Sequence, residues 1–142
     1  MGAKVGFTGE LILERAPDHT GNGRAEWIGV GELVFHDSDG NTITFGKGAK
    51  TDLGSVPQLA WSFGFPPDGE GVDAYVIHDL LYKTQGLCLW SGEKWRTRSK
   101  PYSRSEADDI LRRALIACGV SSWRARIVWA AVRLGGATSW GD

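Results

Sequence analysis

Apolar and polar positions alternate with a period of two through the first third of the chain and with a helical period beyond residue 57. Phe7-Thr8-Gly9-Glu10-Leu11-Ile12-Leu13 reads as a strand, and the segment from Ala16 to Arg24, rich in Pro, Gly, Asn and Asp, as a loop. Glu26 to His36 forms a second strand and Asn41 to Phe45 a third. Between them Asp37-Ser38-Asp39-Gly40 ends in Asp-Gly flanked by alternating residues, a strong hairpin signal. The pattern predicts an N-terminal antiparallel β-sheet of about three strands.

From Pro57 the elements are helical. Pro57 to Phe63 reads as a short helix with Pro in its first turn, where the missing N–H does no harm. Gly64-Phe65-Pro66-Pro67-Asp68-Gly69 breaks it. Val72 to Thr84 is apolar around almost its whole circumference, so this helix is expected to be buried on most sides, with Gly86 as its stop. Leu87 to Tyr102 is a polar excursion, either a loop or a small hairpin. Ser103-Arg104-Ser105-Glu106 is a capping box for a helix ending at Gly119. Ser121 or Ser122 caps a last helix through Leu134, stopped by Gly135-Gly136. Strands first, then a bundle of about four helices, is the order of an α+β fold. With 142 residues and no internal repeat, one domain over residues 1–142 is expected.

Composition changes this picture little. The chain is 42% hydrophobic and 23% charged, with net charge −1. That balance leaves no overall electrostatic footprint for gripping nucleic-acid backbone or an anionic membrane, and no nucleic-acid partner is expected. Positive charge is nevertheless concentrated in the C-terminal half, at Lys94, Arg96, Arg98, Lys100 and Arg104 and again at Arg112, Arg113, Arg124, Arg126 and Arg133. Cys88 and Cys118 are too few for a disulfide framework or a zinc site, and Cys118 reads as a small buried hydrophobe on a helix stripe. No leader and no transmembrane segment is expected, so synthesis is assigned to a reducing cytoplasm, with later release by lysis or as part of a particle left open. Among seven tryptophans, Trp61, Trp123 and Trp129 fall in helical patterns and read as core. Trp90 and Trp95 lie in the polar excursion, where exposed aromatics would serve contact with a substrate or partner.

Chemistry is expected at His78-Asp79, in the middle of an apolar helix. Burying an imidazole beside a carboxylate costs several kcal/mol, on the order of magnitude of a domain's net stability, unless both find partners. In the following helix Ala107, Ile110, Leu111, Ala114, Leu115 and Cys118 form one apolar stripe. Asp108 lies at its edge and Asp109 points roughly the opposite way, so Asp108 reaches the core and Asp109 reads as a solvated charge. An Asp facing His78 would fix its tautomer and support general-base work, leaving Asp79 for a divalent cation or for backbone N–H groups. A second patch, Thr51-Asp52-Leu53-Gly54-Ser55-Val56-Pro57, offers Thr51, Asp52 and Ser55 for an anion, a metal or a substrate. A capped turn opening a helix explains it equally well. His19 and His36 read as surface residues.

Three segments, Thr-Asp-Leu-Gly-Ser-Val-Pro at 51–57, His-Asp-Leu-Leu-Tyr at 78–82 and Ser-Arg-Ser-Glu-Ala-Asp at 103–108, carry a resemblance. With the Trp/Ala-rich last helix, the chain resembles the domain-of-unknown-function family numbered thirteen fifty-three, found mainly in tailed bacteriophages and prophages. That resemblance implies phage origin and brings no activity. Leu53-Gly54-Ser55 stands where the family commonly has Gly-Ala-Ser. More locally, His-Asp-x-x-Tyr with an Asp on a facing helix is similar to the active-site helices of phospholipase A2, where the His activates water, the adjacent Asp holds calcium and the second Asp orients the His. That likeness implies those roles for His78, Asp79 and Asp108. The chain departs from it in lacking the disulfides, lacking a clear glycine-rich calcium loop and beginning with a sheet. Two readings follow. The first is a phage-encoded hydrolase-like domain acting on an ester or amide of the host envelope. In it His78 is the base, Asp108 orients it, Tyr82 supports the site, and Asp79 with Asp52 holds a divalent cation (calcium or zinc). The second is a non-enzymatic virion, tail or host-interaction module, partnered by another phage protein, in which the same residues form a buried network and Leu87–Tyr102 is the working surface.

Overall fold

The computed structural model describes residues 5–16, 26–51, 71–90, 92–137 and 140. Three antiparallel segments open the fold. The first contains β1 (Gly6–Gly9) and β2 (Leu13–Ala16), the second β3 (Glu26–Gly29) and β4 (Leu33–His36), and the third β5 (Thr42–Phe45) and β6 (Lys50–Thr51). They form two three-stranded sheets, β1-β4-β5 and β2-β3-β6, instead of the single sheet expected from alternation.

The two sheets are halves of one bent meander. Gly9 opposes Leu33, and four residues on along one segment and four back along the other Leu13 opposes Gly29, so the register is unchanged across the bend. Leu33 opposite Phe45 and Trp27 opposite Thr51 show the same continuity on the other side. Backbone bonds from Glu10 N–H to the Glu32 carbonyl (3.1 Å) and from Val30 N–H to the Ile12 carbonyl (2.9 Å) hold the bend itself. Gly9 makes it possible: its φ is +77°, and a Cβ there would sit 2.1 Å from the Glu32 carbonyl oxygen. The Asp37–Asn41 turn forms where expected, with Gly40 N–H on the Asp37 carbonyl (3.1 Å) and Gly40 at φ +84°.

Three helices follow among the described residues, α1 (Val72–Lys83), α2 (Arg104–Ala117) and α3 (Ser122–Gly135). The expected short helix at Pro57–Phe63 lies outside those residues, as do Trp61, His19, Asp52 and Ser55. Eight of the twelve α1 residues are buried, which makes α1 the centre of the molecule. Leu33 and Phe35 of β4 and Ile43 and Phe45 of β5 share one core with Val76, Ile77, Leu80 and Leu81 of α1, and α2 covers it with Ile110, Leu111 and Leu115. Burial of each such side chain stabilises by about 1.5–3 kcal/mol. The capping box of α2 is formed in full: Glu106 N–H donates to Ser103 Oγ (3.1 Å) and Ser103 N–H to Glu106 Oε1 (3.0 Å).

The polar excursion is a hairpin, β7 (Leu89–Trp90) and β8 (Glu93–Lys94), whose return arm lies along the open edge of β5. Thr44 N–H donates to the Trp95 carbonyl (2.8 Å) and Thr97 N–H to the Thr42 carbonyl (3.1 Å), so an edge otherwise free to pair is covered. Two tryptophan environments differ from expectation. Trp123 is 63% exposed and not core, because α3 buries Ala125, Val128 and Val132 and so turns position 123 outward. Trp90 and Trp95 are half-buried against the core, since the hairpin folds back on the sheet. Cys118, expected in the core, is half-buried because it caps α2 where the chain leaves the helix.

Candidate functional site

Helix α1 places His78 and Tyr82 one turn apart on one face, with their rings 4.3 Å apart. That face meets α2 where the apolar stripe admits one carboxylate, Asp108, which is fully buried. His78 Nε2 lies 2.9 Å from Asp108 Oδ1, and the Tyr82 hydroxyl donates to the same oxygen at 2.6 Å. The other oxygen, Oδ2, accepts from the Arg133 guanidinium of α3 at 2.9 Å. Arg104, in the first turn of α2, donates to the Tyr82 hydroxyl (3.2 Å) and to the Val132 and Arg133 carbonyls (2.9 and 2.8 Å). The expected meeting of His78 and Asp108 is therefore present, and Tyr82 belongs with them. Gly136 lets the chain pass close: a Cβ there would be 2.6 Å from the Tyr82 hydroxyl. Trp140 meets the Tyr82 ring edge-on at 5.1 Å.

Electrostatics fix the protonation pattern. Burial alone pushes the Asp108 carboxyl up, but hydrogen bonds from His78 and Tyr82 and the nearby positive groups hold it below the ordinary carboxylate range. Asp108 is therefore an acceptor only, and Nε2 of His78 must carry a hydrogen. In neutral His78 the lone pair then sits on Nδ1, which makes no hydrogen bond among the described residues. The His78 side chain keeps 11% exposure against none for Asp108, so what water reaches lies on the part of the ring turned away from the carboxylate. Burial, and next the bond to Asp108, raise the Tyr82 hydroxyl to about 12, so it stays a donor.

Asp79 points elsewhere. Its Oδ2 accepts from Thr51 Oγ1 at 2.7 Å and lies 3.8 Å from Lys83 Nζ. Thr51 is buried at the end of β6, so the sheet and α1 meet at this oxygen pair. Asp52 follows Thr51 in the chain, and Asp52 and Ser55 as ligands lie outside the described residues. Among those residues no three His, Cys, Asp or Glu side chains form a metal-binding group. Trp90 and Trp95 direct their indole N–H groups to the Gly48 carbonyl (2.8 Å) and the Trp90 carbonyl (3.2 Å).

Four polar residues went unassigned or were misassigned in the sequence. In the sequence Arg133 and Arg104 read only as part of a basic half, and the signal for Arg133 is a cation in the last turn of a helix that carries no acidic residue. Asp37, assigned to a turn, is buried and paired through both oxygens with Arg113 of α2 (2.8 and 2.9 Å). Asp109 is not a free surface charge: it is half-buried and accepts the Trp129 indole N–H at 2.8 Å, because α3 packs across that side of α2.

Residues 27–132 match a family model described as a protein of unknown function, DUF1353. The matched stretch holds Thr51, His78, Asp79, Tyr82 and Asp108 and ends one residue before Arg133. No curated protein and no solved structure matches the chain.

Proposed function

This chain belongs to the DUF1353 family of proteins of unknown function, and from that premise we propose a hydrolase-like domain with His78 as its general base. One observation carries the reading. Asp108, fully buried and kept ionised, holds Nε2 of His78 as a donor and leaves the Nδ1 lone pair on the part of the ring that water reaches. A water at Nδ1 gives up its proton as it attacks a carbonyl carbon, and Asp108 stabilises the imidazolium that forms. Such general-base assistance contributes about 10²–10⁴-fold in rate. The substrate class is an ester or amide of a host envelope, in the phage setting that the family resemblance implies.

Asp79 and Thr51 present oxygen donors, the chemistry of a hard cation such as calcium and not of zinc. A cation there would polarise the substrate carbonyl, with Asp52 as a further ligand and Lys83 as its competitor for Asp79.

The second reading, a non-enzymatic virion or host-interaction module, is favoured by Arg104. Its bonds to Tyr82 and to the end of α3 make the network a tie between three helices. His78→Asn separates the two. Asn keeps part of the hydrogen bonding but cannot accept a proton at neutral pH. The measurement is hydrolysis of envelope esters and peptidoglycan by wild-type and His78→Asn protein, with metal analysis and a thermal melt of each. Wild-type hydrolysis, lost in a folded His78→Asn protein, is the expected result. A folded variant that keeps wild-type hydrolysis, or supports normal phage growth, would overturn the general-base role.

A further inference from the structure

The network around His78 holds two guanidinium groups and one carboxylate. Arg133 is paired with Asp108. Arg104 gives its hydrogen bonds to the Tyr82 hydroxyl and to the Val132 and Arg133 carbonyls, with no carboxylate of its own among the described residues. With His78 neutral, one positive charge is left over. The carbonyl end of α3 offsets roughly half of it through the helix dipole, so the balance stays positive.

The way Arg133 is paired says more. Its bond to Asp108 uses Nη1 alone, at 2.9 Å. Nε and Nη2 form the other, side-on edge of the guanidinium, and neither has an acceptor among the described residues. Neither is a sealed orphan: the side chain is 32% exposed, and that edge meets water. Arg113 demonstrates what the same edge takes when a partner is present. Its Nε and Nη2 hold the two oxygens of Asp37 at 2.8 and 2.9 Å. Such an edge matches a pair of oxygens on one carbon or phosphorus, a match that a lysine ammonium cannot make. Asp108, fully buried, grips Arg133 from the core side and leaves the edge open. A donor pair held in place this way loses little freedom when an anion arrives.

We propose that the open Nε/Nη2 edge of Arg133, joined to Arg104 through Asp108 and Tyr82, is a subsite for a carboxylate or phosphate group of a ligand. As a substrate subsite it rests on the hydrolase reading and narrows it: the ester or amide carries an anionic group. As an anion site it needs no hydrolysis.

The test titrates the full chain with inorganic phosphate and with acetate, at ionic strength held constant by chloride. Binding is followed by calorimetry and by NMR of the arginine Nε–H groups. Saturable binding that moves the Arg133 Nε–H signal is expected. Phosphate binding alone would indicate a phosphorylated ligand, and acetate binding alone a carboxylate. Arg133→Lys keeps the charge and loses the edge, and should weaken binding about tenfold or more. Arg104→Gln should weaken it by a smaller factor, and Arg126→Ala, exposed on α3 and outside the network, should leave it unchanged. Absence of saturable binding overturns the proposal, and so does binding that Arg133→Lys retains in full. If that variant fails to fold, the wild-type spectrum decides, because an Arg133 signal that stays still while anion binds overturns the site. The two readings fail separately: His78→Asn should bind phosphate as wild type does, and a chain that hydrolyses nothing can still show the site.

Discussion

Helix α2 takes part in two ion pairs with buried carboxylates, through its own Asp108 and through Arg113 to Asp37 of the hairpin, and the two are built differently. At the hairpin, Asp37 is closed by one side chain, the bidentate guanidinium of Arg113, which is 38% exposed, and by the backbone N–H of Ser38. In the helical layer, Asp108 has no exposure and three partners from two other helices, one of them a histidine. An Asp–Arg pair satisfies a buried carboxylate and ties a turn to a helix without any group that titrates near neutral pH. The arrangement at Asp108 adds a ring that can exchange a proton while its orientation stays fixed. The contrast separates a plain ion pair from a network that includes a histidine.

Removing each carboxylate tests the contrast most strongly. Asp108→Ala should cost about 3–5 kcal/mol, because it strands buried Tyr82 and His78 and an arginine held between helices. Asp37→Ala should cost about 1–3 kcal/mol, since Arg113 can turn to water. Equal shifts in denaturant midpoint would erase the difference. Acid titration sharpens it. Because the folded Asp108 carboxyl is held below its unfolded value, its contribution is full above an unfolded value of about 3.9 and is lost as pH falls through the lower folded value. Asp108→Asn should flatten that limb of a stability–pH profile. At the other extreme, Tyr82 is raised to about 12. Its contribution is full below about 10 and lost as pH rises towards 12. Tyr82→Phe should cost about 1–2 kcal/mol at neutral pH and remove the alkaline loss, read by thermal melts across pH. Smallest is Asp109→Ala, at about 0.5–1.5 kcal/mol through the orphaned Trp129 indole. A silent variant would return Asp109 to the solvated class.

Much of this was legible in residue order. The helix boundaries, the capping box, the hairpin turn and the His78–Asp108 contact follow from local period and from partner requirements that act within a few residues or along one stripe. What was missed depends on how one element crosses another. Arg133 and Trp129 find Asp108 and Asp109 only because α3 lies across α2, and no periodicity within either helix encodes that crossing. Trp123 was misread because α3 has two apolar faces, and a period of 3.6 does not say which one meets the core. The split of one sheet into two hinged on a left-handed glycine within a segment that still alternates.

The unbroken register across that bend has a consequence for how the site is kept in order. Leu33, Phe35, Ile43 and Phe45 choose their pairing because they must face the helices, and a slip of one position would turn all four outward. The outer half of the meander inherits the choice through the bend, like teeth further along a zipper whose first teeth are already engaged. It can fray and close again without losing its place. That inherited alignment is what sets Thr51 opposite Trp27 and against Asp79. A slip of one tooth would present Lys50 or Asp52 to Asp79 instead, exchanging a neutral hydroxyl for a charge beside α1.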